Sequence, residues 1–349
     1  MNIQPVSSHI ASAPIASTQA VNQAQAPQIA AKSDAPSLET ADGVSIGEEK
    51  PAKKGFISWL KDLVKTQVEG PEVPYLERTC NKLEEVLSKA QPGDIPDKMP
   101  SHADKPGAPS GFYTSDGTCL SGSLLDPGAH IPSKADVCDY KELNIRDTAA
   151  KYDAEVKPYL SPVQKGVIKE YSGQAFMAMN SYLLGMEKDN EAQTLDRTVR
   201  CAAGALDKFE VPSGSILHRT AGFSELRNYM GDEKAIAKYG KLAKAGKSEK
   251  LAEILDLRLT GTQTNRKTFI STTAASDFKM IEHSKITTKY YVGEGVKGIF
   301  IAPDKDLCEF SGEYEYLLAP DTKETIMGVE YNPETKGIQL NIFLGDLPE

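Results

Sequence analysis

Three short segments contain side chains that could take part in catalysis or bind an anionic ligand. In the first, Arg219 lies near the end of the strand-like segment 215–222 (SILHRTAG), after the apolar Ile216 and Leu217. A guanidinium at the end of a strand presents a planar fork of donors that suits a phosphate or a carboxylate. An isolated arginine in such a place is more often simply exposed to solvent, so this segment predicts little by itself.

The second segment, 268–273 (TFISTT), is a β-rich run that ends in three hydroxyl side chains, those of Ser271, Thr272 and Thr273. Hydroxyl groups at a strand end can orient a neighbouring carboxylate. They can also cap a following helix, and a helix is predicted to open at Ser276 directly afterwards. Alone, this motif leaves both interpretations open.

The third segment, 312–318 (GEYEYLL), places two carboxylates two residues apart, at Glu313 and Glu315. In an extended strand, side chains at this spacing share one face, where two like charges are unfavourable neighbours. Leu317 and Leu318 follow directly, which predicts that the strand enters a core. An exposed strand edge remains the alternative for the pair considered in isolation.

Helices and then short strands must position these segments. We predict helices over 161–173, 173–186, 194–209, 224–231, 247–259 and 276–284 from their apolar periodicity. We predict strands over 215–222, 268–273, 296–303 and 313–320, and a hairpin of 324–332 with 337–345 around the turn 333–336. Because most helices come first and most strands later, the sequence favours an α+β fold.

The region before residue 145 differs in composition. Residues 1–50 are rich in Ala, Ser, Gln, Pro and Thr, with no aromatic residue before Phe56, so we predict disorder there. Residues 51–70 predict an amphipathic helix, which either rests on a membrane surface or, as we favour, packs on a domain or is held by a secretion chaperone. Residues 76–90 predict a second amphipathic helix, and 91–135 a loop-rich connection.

The overall composition excludes several classes of function. A net charge of −9 disfavours a nucleic-acid-binding protein, which needs clustered lysines and arginines. The five cysteines are widely spaced without a CxxC pair, which predicts reduced structural thiols rather than a metal site or a disulfide framework. No apolar run approaches the length that crosses a bilayer.

Taken together and in this order, the three segments resemble the Arg–Ser–Glu class of mono-ADP-ribosyltransferases, which includes many bacterial toxins and effectors. The helix pair over 160–185, with Tyr171 and Asn180, also looks like that of the family, and the resemblance spans about residues 146–349. The chain has Ser-Thr-Thr where the family often has Ser-Thr-Ser. It also has His218 where an aromatic residue is frequent.

The resemblance implies a specific fold and site. The expected fold has two roughly perpendicular, mainly antiparallel sheets around an NAD cleft, with a helical N-terminal lobe. Glu315 would stabilise the positive charge that develops as nicotinamide leaves, Ser271 would hold Glu315, and Glu313 would orient the attacking group of the acceptor. The implied NAD-binding residues are His218, Arg219, Thr220, Ser271, Thr272 and Glu315, with Arg219 on the phosphates. No metal ion is implied.

The resemblance also implies a biological role and a domain division. The chain would be an effector delivered into the host cytoplasm, with a secretion leader over 1–50 similar in composition to those of type III effectors. A targeting or partner-binding region would follow over 51–145, and the catalytic domain over 146–349. We expect a monomer whose target is a host protein such as ubiquitin, an actin-like protein or a GTPase.

The acceptor side chain is arginine by default, because Glu-x-Glu is usually linked with arginine acceptors, and threonine of ubiquitin is an alternative. Glu309 and Phe310 would shape the acceptor site, and segment 276–294 would border the nicotinamide and phosphates. Two further alternatives are a catalytically silent member that binds NAD or a partner, and a non-enzymatic adaptor with 51–145 as its interaction surface.

Overall fold

Helices predominate in the first half of the described chain and strands in the second half. The computed structural model describes residues 75–100, 123–124, 130–185, 191–276, 286–302 and 304–347. The predictions for residues 1–50 and 51–70, and nearly all of the helix predicted over 276–284, lie outside the described residues. Among the described residues, no helix has both the length and the apolar character needed to span a bilayer.

Most α-helices in the described residues lie where the sequence predicts a helix. They are α1 (Tyr75–Leu87), α2 (Ile145–Lys151), α3 (Pro162–Glu170), α4 (Phe176–Leu183), α5 (Ala192–Leu206), α6 (Glu233–Lys244) and α7 (Ser248–Leu259). Tyr152–Val156 and Tyr171–Ala175 form π-helical turns, and Lys157–Tyr159, Phe223–Asn228 and Ser311–Glu313 form 3₁₀ turns. The segment 224–231, predicted as an α-helix, is thus replaced by a shorter 3₁₀ turn.

Local sequence signals fix the start of α3 and the joint that follows it. Ser161 and Gln164 form a capping box, and Pro162 occupies the first turn, where its missing N–H costs nothing. Between α3 and α4, where the sequence predicts a joint near Ser172 and Gly173, the chain widens into the π-helical turn Tyr171–Ala175. Such turns recur at functional sites.

The strands form one mixed sheet. They are β1 (Ser123–Leu124), β2 (Lys141–Glu142), β3 (Ser215–Ala221), β4 (Thr262–Arg266), β5 (Ile270–Thr273), β6 (Ile286–Val292), β7 (Gly298–Phe300), β8 (Glu315–Leu318), β9 (Thr322–Asn332) and β10 (Gly337–Leu344). Their order is β1-β4-β9-β10-β6-β3-β5-β8-β7, with β2 beside β3.

Most neighbouring strands in this sheet are antiparallel, but β10 runs parallel to β6 and β2 parallel to β3. Strands β3 and β5 are joined through the single residue pair His218 and Thr273. The two roughly perpendicular sheets implied by the resemblance stay a prediction.

One hydrophobic core connects the helices to the sheet. Leu83 and Leu87 of α1, Val167 of α3 and Leu317 of β8 all belong to this cluster and are almost fully buried. Burial of such aliphatic side chains is the main favourable term in folding. Helix α1 therefore packs in the same core as the strands that position the candidate site.

Six elements were not predicted from the sequence: α2, α6, β1, β2, β4 and β6. Helix α6 buries Ile236, Tyr239 and Ala243 at helical spacing, and β6 is rich in β-branched and aromatic residues, so both signals were present. Strand β4 (TQTNR) carries no such signal. Its Arg266 is buried because carboxylates from other elements pair with it, which the local sequence could not reveal.

Candidate active site

Three strands bring the predicted arginine, serine and glutamate together. Arg219 lies on β3, Ser271 on β5, and Glu315 is the first residue of β8. An Nη of Arg219 donates a hydrogen bond to the backbone carbonyl of Ser271 at 2.6 Å. The Ser271 side chain is hydrogen-bonded to the Glu315 carboxylate. This carboxylate also interacts electrostatically with Arg219.

The register of β5 and β8 explains how Ser271 reaches Glu315. Glu315 stands opposite Thr273, and Leu317 stands opposite Ser271. Residues two apart on a strand share a face, so Ser271 and Glu315 are diagonal neighbours on one face of the sheet. The contact depends on antiparallel pairing between segments that are more than 40 residues apart in sequence.

Glu315 is a buried carboxyl group with an elevated pKa. Only 4% of the residue is exposed. Loss of hydration raises its pKa to about 7, although the Ser271 hydrogen bond and the charge of Arg219 act in the opposite direction. Near neutral pH, the free protein therefore contains both the protonated and the ionised form of Glu315.

Glu313 is not part of the strand, contrary to the argument from alternating side chains. It ends the 3₁₀ turn Ser311–Glu313, and Tyr314 then adopts a left-handed backbone conformation (φ 47°, ψ 43°) before β8 begins. The two carboxyl groups nevertheless lie close enough to interact. Burial, together with the charge of Glu315, raises the pKa of Glu313 to about 8.

Thr273 holds Glu313 in this position, which the sequence analysis did not foresee. The Thr273 hydroxyl donates to the backbone carbonyl of Glu313 at 2.8 Å and accepts from the backbone N–H of Ala275 at 3.1 Å. The N–H of Ala274 donates to the carbonyl of Tyr314 at 3.0 Å. The third hydroxyl of the Ser-Thr-Thr segment thus anchors the turn that presents Glu313.

Three other residues predicted to bind NAD lie on the same strands as this cluster: His218 and Thr220 on β3, and Thr272 on β5. Successive strand residues face opposite sides, so His218 and Thr220 lie on the other face of β3 from Arg219. His218 contacts Glu142 at 2.7 Å. The buried hydroxyl of Thr272 donates to the backbone carbonyl of Tyr316 at 2.7 Å, which joins β5 to β8.

Two buried residues next to the cluster were not singled out as site residues from the sequence. Glu225, in the 3₁₀ turn after β3, lies 3.7 Å from Nε of Arg219. Tyr171, at the start of the π-helical turn, lies near both Glu315 and Arg219, and burial raises its pKa far above the usual range. The one signal in the sequence that could have identified Glu225 is its position, a few residues after the strand that carries Arg219.

The loop before Glu313 is anchored to the helices. Asp304 accepts a hydrogen bond from the Tyr152 hydroxyl at 3.0 Å and forms an ion pair with Lys157 at 3.0 Å. The hydroxyl of Ser172 accepts from the N–H of Glu309 at 3.1 Å. These contacts place Glu309 beside the π-helical turn and on the same loop as Glu313.

A match to a protein-family model decides the family. Residues 148–343, more than half of the chain, match the model of the ADP-ribosyltransferase exoenzymes. The chain belongs to the ADP-ribosyltransferase exoenzyme family. NAD-dependent transfer of ADP-ribose is the chemistry of this family, and NAD is the co-substrate.

The chain is similar in structure to solved ADP-ribosyltransferases, and one of them has a TM-score above 0.5. The C3stau2 protein of S. aureus, solved with NAD, is 17% identical, with a TM-score of 0.51 over 58% of this chain and 97% of that one. The Clostridium limosum C3 exoenzyme is 22% identical, with a TM-score of 0.47 over 60% of this chain and 100% of that one. No curated protein is similar enough to this sequence to count as a relative.

The exposure and charge of the side chains around Glu315 are compatible with NAD binding. The Arg219 side chain is 28% exposed, so its guanidinium can meet a ligand's phosphates, whereas the Arg266 side chain is 6% exposed and enclosed by protein. Burial raises the pKa values of Glu313 and Glu315, and a nearby cation would stabilise the ionised form of each carboxyl group. The cationic nicotinamide ring would supply that positive charge.

Proposed function

We propose that this protein is a mono-ADP-ribosyltransferase of the Arg–Ser–Glu class that modifies a protein side chain, with Glu315 as its catalytic carboxylate. The observation that supports this most directly is the buried Glu315, hydrogen-bonded to Ser271 and close to Arg219. Those three residues come from separate strands, and the family's chemistry needs a phosphate-binding cation and a carboxylate in one cleft.

Arg219 binds the NAD phosphates through charge-assisted hydrogen bonds, which orient the nicotinamide ribose toward Glu315. When bound, NAD supplies a leaving group that is already cationic. Glu315 accepts a hydrogen bond from the ribose hydroxyl and stabilises the positive charge that develops on the ribose as nicotinamide departs. Because that charge is largest in the transition state, the interaction accelerates the reaction rather than only tightening binding.

NAD binding also favours the charge state of Glu315 that catalysis requires. A cation close to a buried carboxylate stabilises its ionised form and lowers its pKa. Glu315 is therefore partly neutral in the free protein, and the nicotinamide ring shifts it toward the ionised form. Ser271 holds the carboxylate in one orientation throughout.

Glu313 acts on the acceptor. It stands outside β8, at the end of the loop that also carries Glu309, so it faces a second substrate rather than the buried ribose side. A carboxyl group whose pKa is raised to about 8 can take a proton from an attacking nucleophile or orient a guanidinium. The proposed acceptor is arginine on a host protein, with threonine of ubiquitin as the alternative.

Nicotinamide release by the purified full-length chain tests the catalytic assignment. Glu315→Gln keeps the shape and the Ser271 hydrogen bond but cannot ionise, and it should reduce release at least 100-fold. Glu313→Gln should retain hydrolysis of NAD and lose transfer to protein. A Glu315→Gln protein that releases nicotinamide at the wild-type rate would show that the assignment is wrong.

The acceptor is identified by mass spectrometry of host-cell lysate incubated with the protein and labelled NAD. Labelled arginine peptides that disappear with Glu315→Gln support the proposed acceptor. Labelled threonine of ubiquitin would select the alternative. Wild-type protein that binds NAD but neither hydrolyses nor transfers it would favour the catalytically silent member, and no binding at all would favour the adaptor role.

The proposed setting is that of a secreted effector acting in the host cytoplasm, with residues 1–50 as the export signal. Its support is the composition of that segment together with the exoenzyme family. Fusion of residues 1–50 to a reporter enzyme in a type III-competent bacterium tests export. A reporter retained in the bacterium would refute the export signal without affecting the catalytic proposal.

A further inference from the structure

Glu225 lies between two arginines below the candidate NAD site. One carboxylate oxygen is 2.6 Å from an Nη of Arg266, and the other is 3.7 Å from Nε of Arg219. The residue is buried, so its charge is poorly hydrated and depends on these partners. Although burial acts in the opposite direction, the two arginines hold its pKa below the usual range, so Glu225 is ionised at neutral pH.

Arg266 also pairs with a second carboxylate. Its Nε donates to Glu324 at 3.1 Å, and the two N–H groups of the Nη that faces Glu225 are shared with Glu324 at 3.1 Å and the Tyr229 hydroxyl at 3.0 Å. The Tyr229 hydroxyl in turn donates to Glu324 at 2.9 Å. The two arginines and two glutamates of this network balance in charge, which is the condition under which buried ions are tolerated.

Two groups hold the guanidinium of Arg219. Glu225 forms an ion pair with its Nε at 3.7 Å, longer than a hydrogen bond, and the carbonyl of Ser271 accepts from an Nη at 2.6 Å. Arg219 is nevertheless part-exposed, so it keeps an accessible surface for a ligand. A carboxylate so near a phosphate site would repel the ligand if it were alone, and Arg266 offsets that repulsion.

We propose that Glu225 is a positioning residue for NAD: it fixes Arg219 in its phosphate-binding orientation while Arg266 neutralises the added negative charge. This inference rests on the proposed function, because it deepens the role assigned to Arg219. An arginine held in place before binding loses less rotational freedom when the ligand arrives, so the ligand binds more tightly. Glu225 acts on binding rather than on the chemical step.

The test compares two variants of the full-length chain that make the same chemical change in the same network. Glu225→Gln keeps an oxygen for Arg266 but places an amide N–H₂ or a neutral oxygen beside Arg219. We expect the KM for NAD to rise about 10-fold, equivalent to about 1.4 kcal/mol, with kcat changed less than 2-fold. Calorimetric titration with NAD should show the same loss of affinity.

Glu324→Gln is the matched control, because Glu324 contacts Arg266 and Tyr229 and no contact with Arg219 is seen in the described structure. It removes a carboxylate from the same network and should leave the KM for NAD within 2-fold. Glu225→Asp, which keeps the charge, should restore part of the affinity. In an Arg219→Lys background, Glu225→Gln should have little further effect.

The outcomes separate failure of this inference from failure of the proposed function. If wild-type protein neither binds NAD nor releases nicotinamide, the proposed function fails. If wild-type protein is active but Glu225→Gln and Glu324→Gln raise the KM equally, the network has only a structural role and the inference is wrong. The same conclusion follows if Glu225→Gln lowers kcat with no change in KM. If neither glutamine variant folds, the affinity of Glu225→Asp for NAD decides: affinity equal to that of wild type overturns the inference.

Discussion

Substitution of Glu315 should stabilise this protein while it abolishes activity. The pKa of Glu315 in the folded chain is about 7, against an ordinary value of 4.5. Between those values the folded state binds more protons than the unfolded state, so the free energy of unfolding falls as pH rises from about 4 to 8. At 1.36 kcal/mol per pKa unit, this one group costs the fold roughly 3 kcal/mol at pH 8.

Glu315→Gln removes that cost because the neutral amide side chain carries no charge that would lose its hydration on folding. Urea unfolding of wild type and Glu315→Gln, measured at pH 4 and pH 8, should show similar stability at pH 4 and a gain of up to about 3 kcal/mol for the variant at pH 8. Glu334→Gln is the matched control: Glu334 is exposed in the turn between β9 and β10, so this variant should follow wild type at both pH values.

Activity should depend on pH in the opposite direction. The kcat/KM for nicotinamide release by wild type reports groups of the free protein and should rise between pH 6 and 8 as Glu315 ionises. Stability would thus fall over the range in which activity appears. If wild type and Glu315→Gln had the same pH dependence of unfolding, the pKa of Glu315 would not be raised in the folded protein, and the reasoning would be refuted.

Three further variants test the surroundings of the site. Thr273→Val removes the hydroxyl that anchors Glu313, so transfer to protein should fall at least 5-fold while nicotinamide release changes less than 2-fold; equal losses would contradict this. In Gly173→Ala, the new Cβ would stand 2.3 Å from the Oε2 of Glu309, which can swing away, so labelling of the acceptor should change with little loss of thermal stability, as differential scanning fluorimetry would show. Leu83→Ala in α1 should cost about 2–5 kcal/mol in urea unfolding, because this side chain is fully buried in the core shared with the sheet; a cost below 1 kcal/mol would show that α1 contributes little.

Short-range signals accounted for the elements predicted correctly. The capping box at Ser161 and the apolar periodicity of α3 and α5 are local patterns, and the β9–β10 hairpin follows from two apolar strands around a four-residue turn. Helix α6 and strand β6 carried comparable signals that were overlooked. Strand β4 could not be predicted in this way, because its buried Arg266 is stabilised by carboxylates from distant segments.

The sequence by itself determined which residue types could perform the chemistry and in what order they occur. Arg219, the Ser271 segment and Glu315 were identifiable because a guanidinium, a hydroxyl and a carboxylate each have a distinct chemical use. Their motif order indicated the family that the match over residues 148–343 then established.

Only the tertiary structure decided which of these side chains meet and in what charge state. Pairing of β5 with β8 places Ser271 beside Glu315, the turn at Tyr314 moves Glu313 off the strand, and Glu225 reaches Arg219 from the turn after β3. Hydrogen bonds and desolvation depend on distances of a few ångströms between segments far apart in sequence. A linear pattern of residue types does not contain those distances.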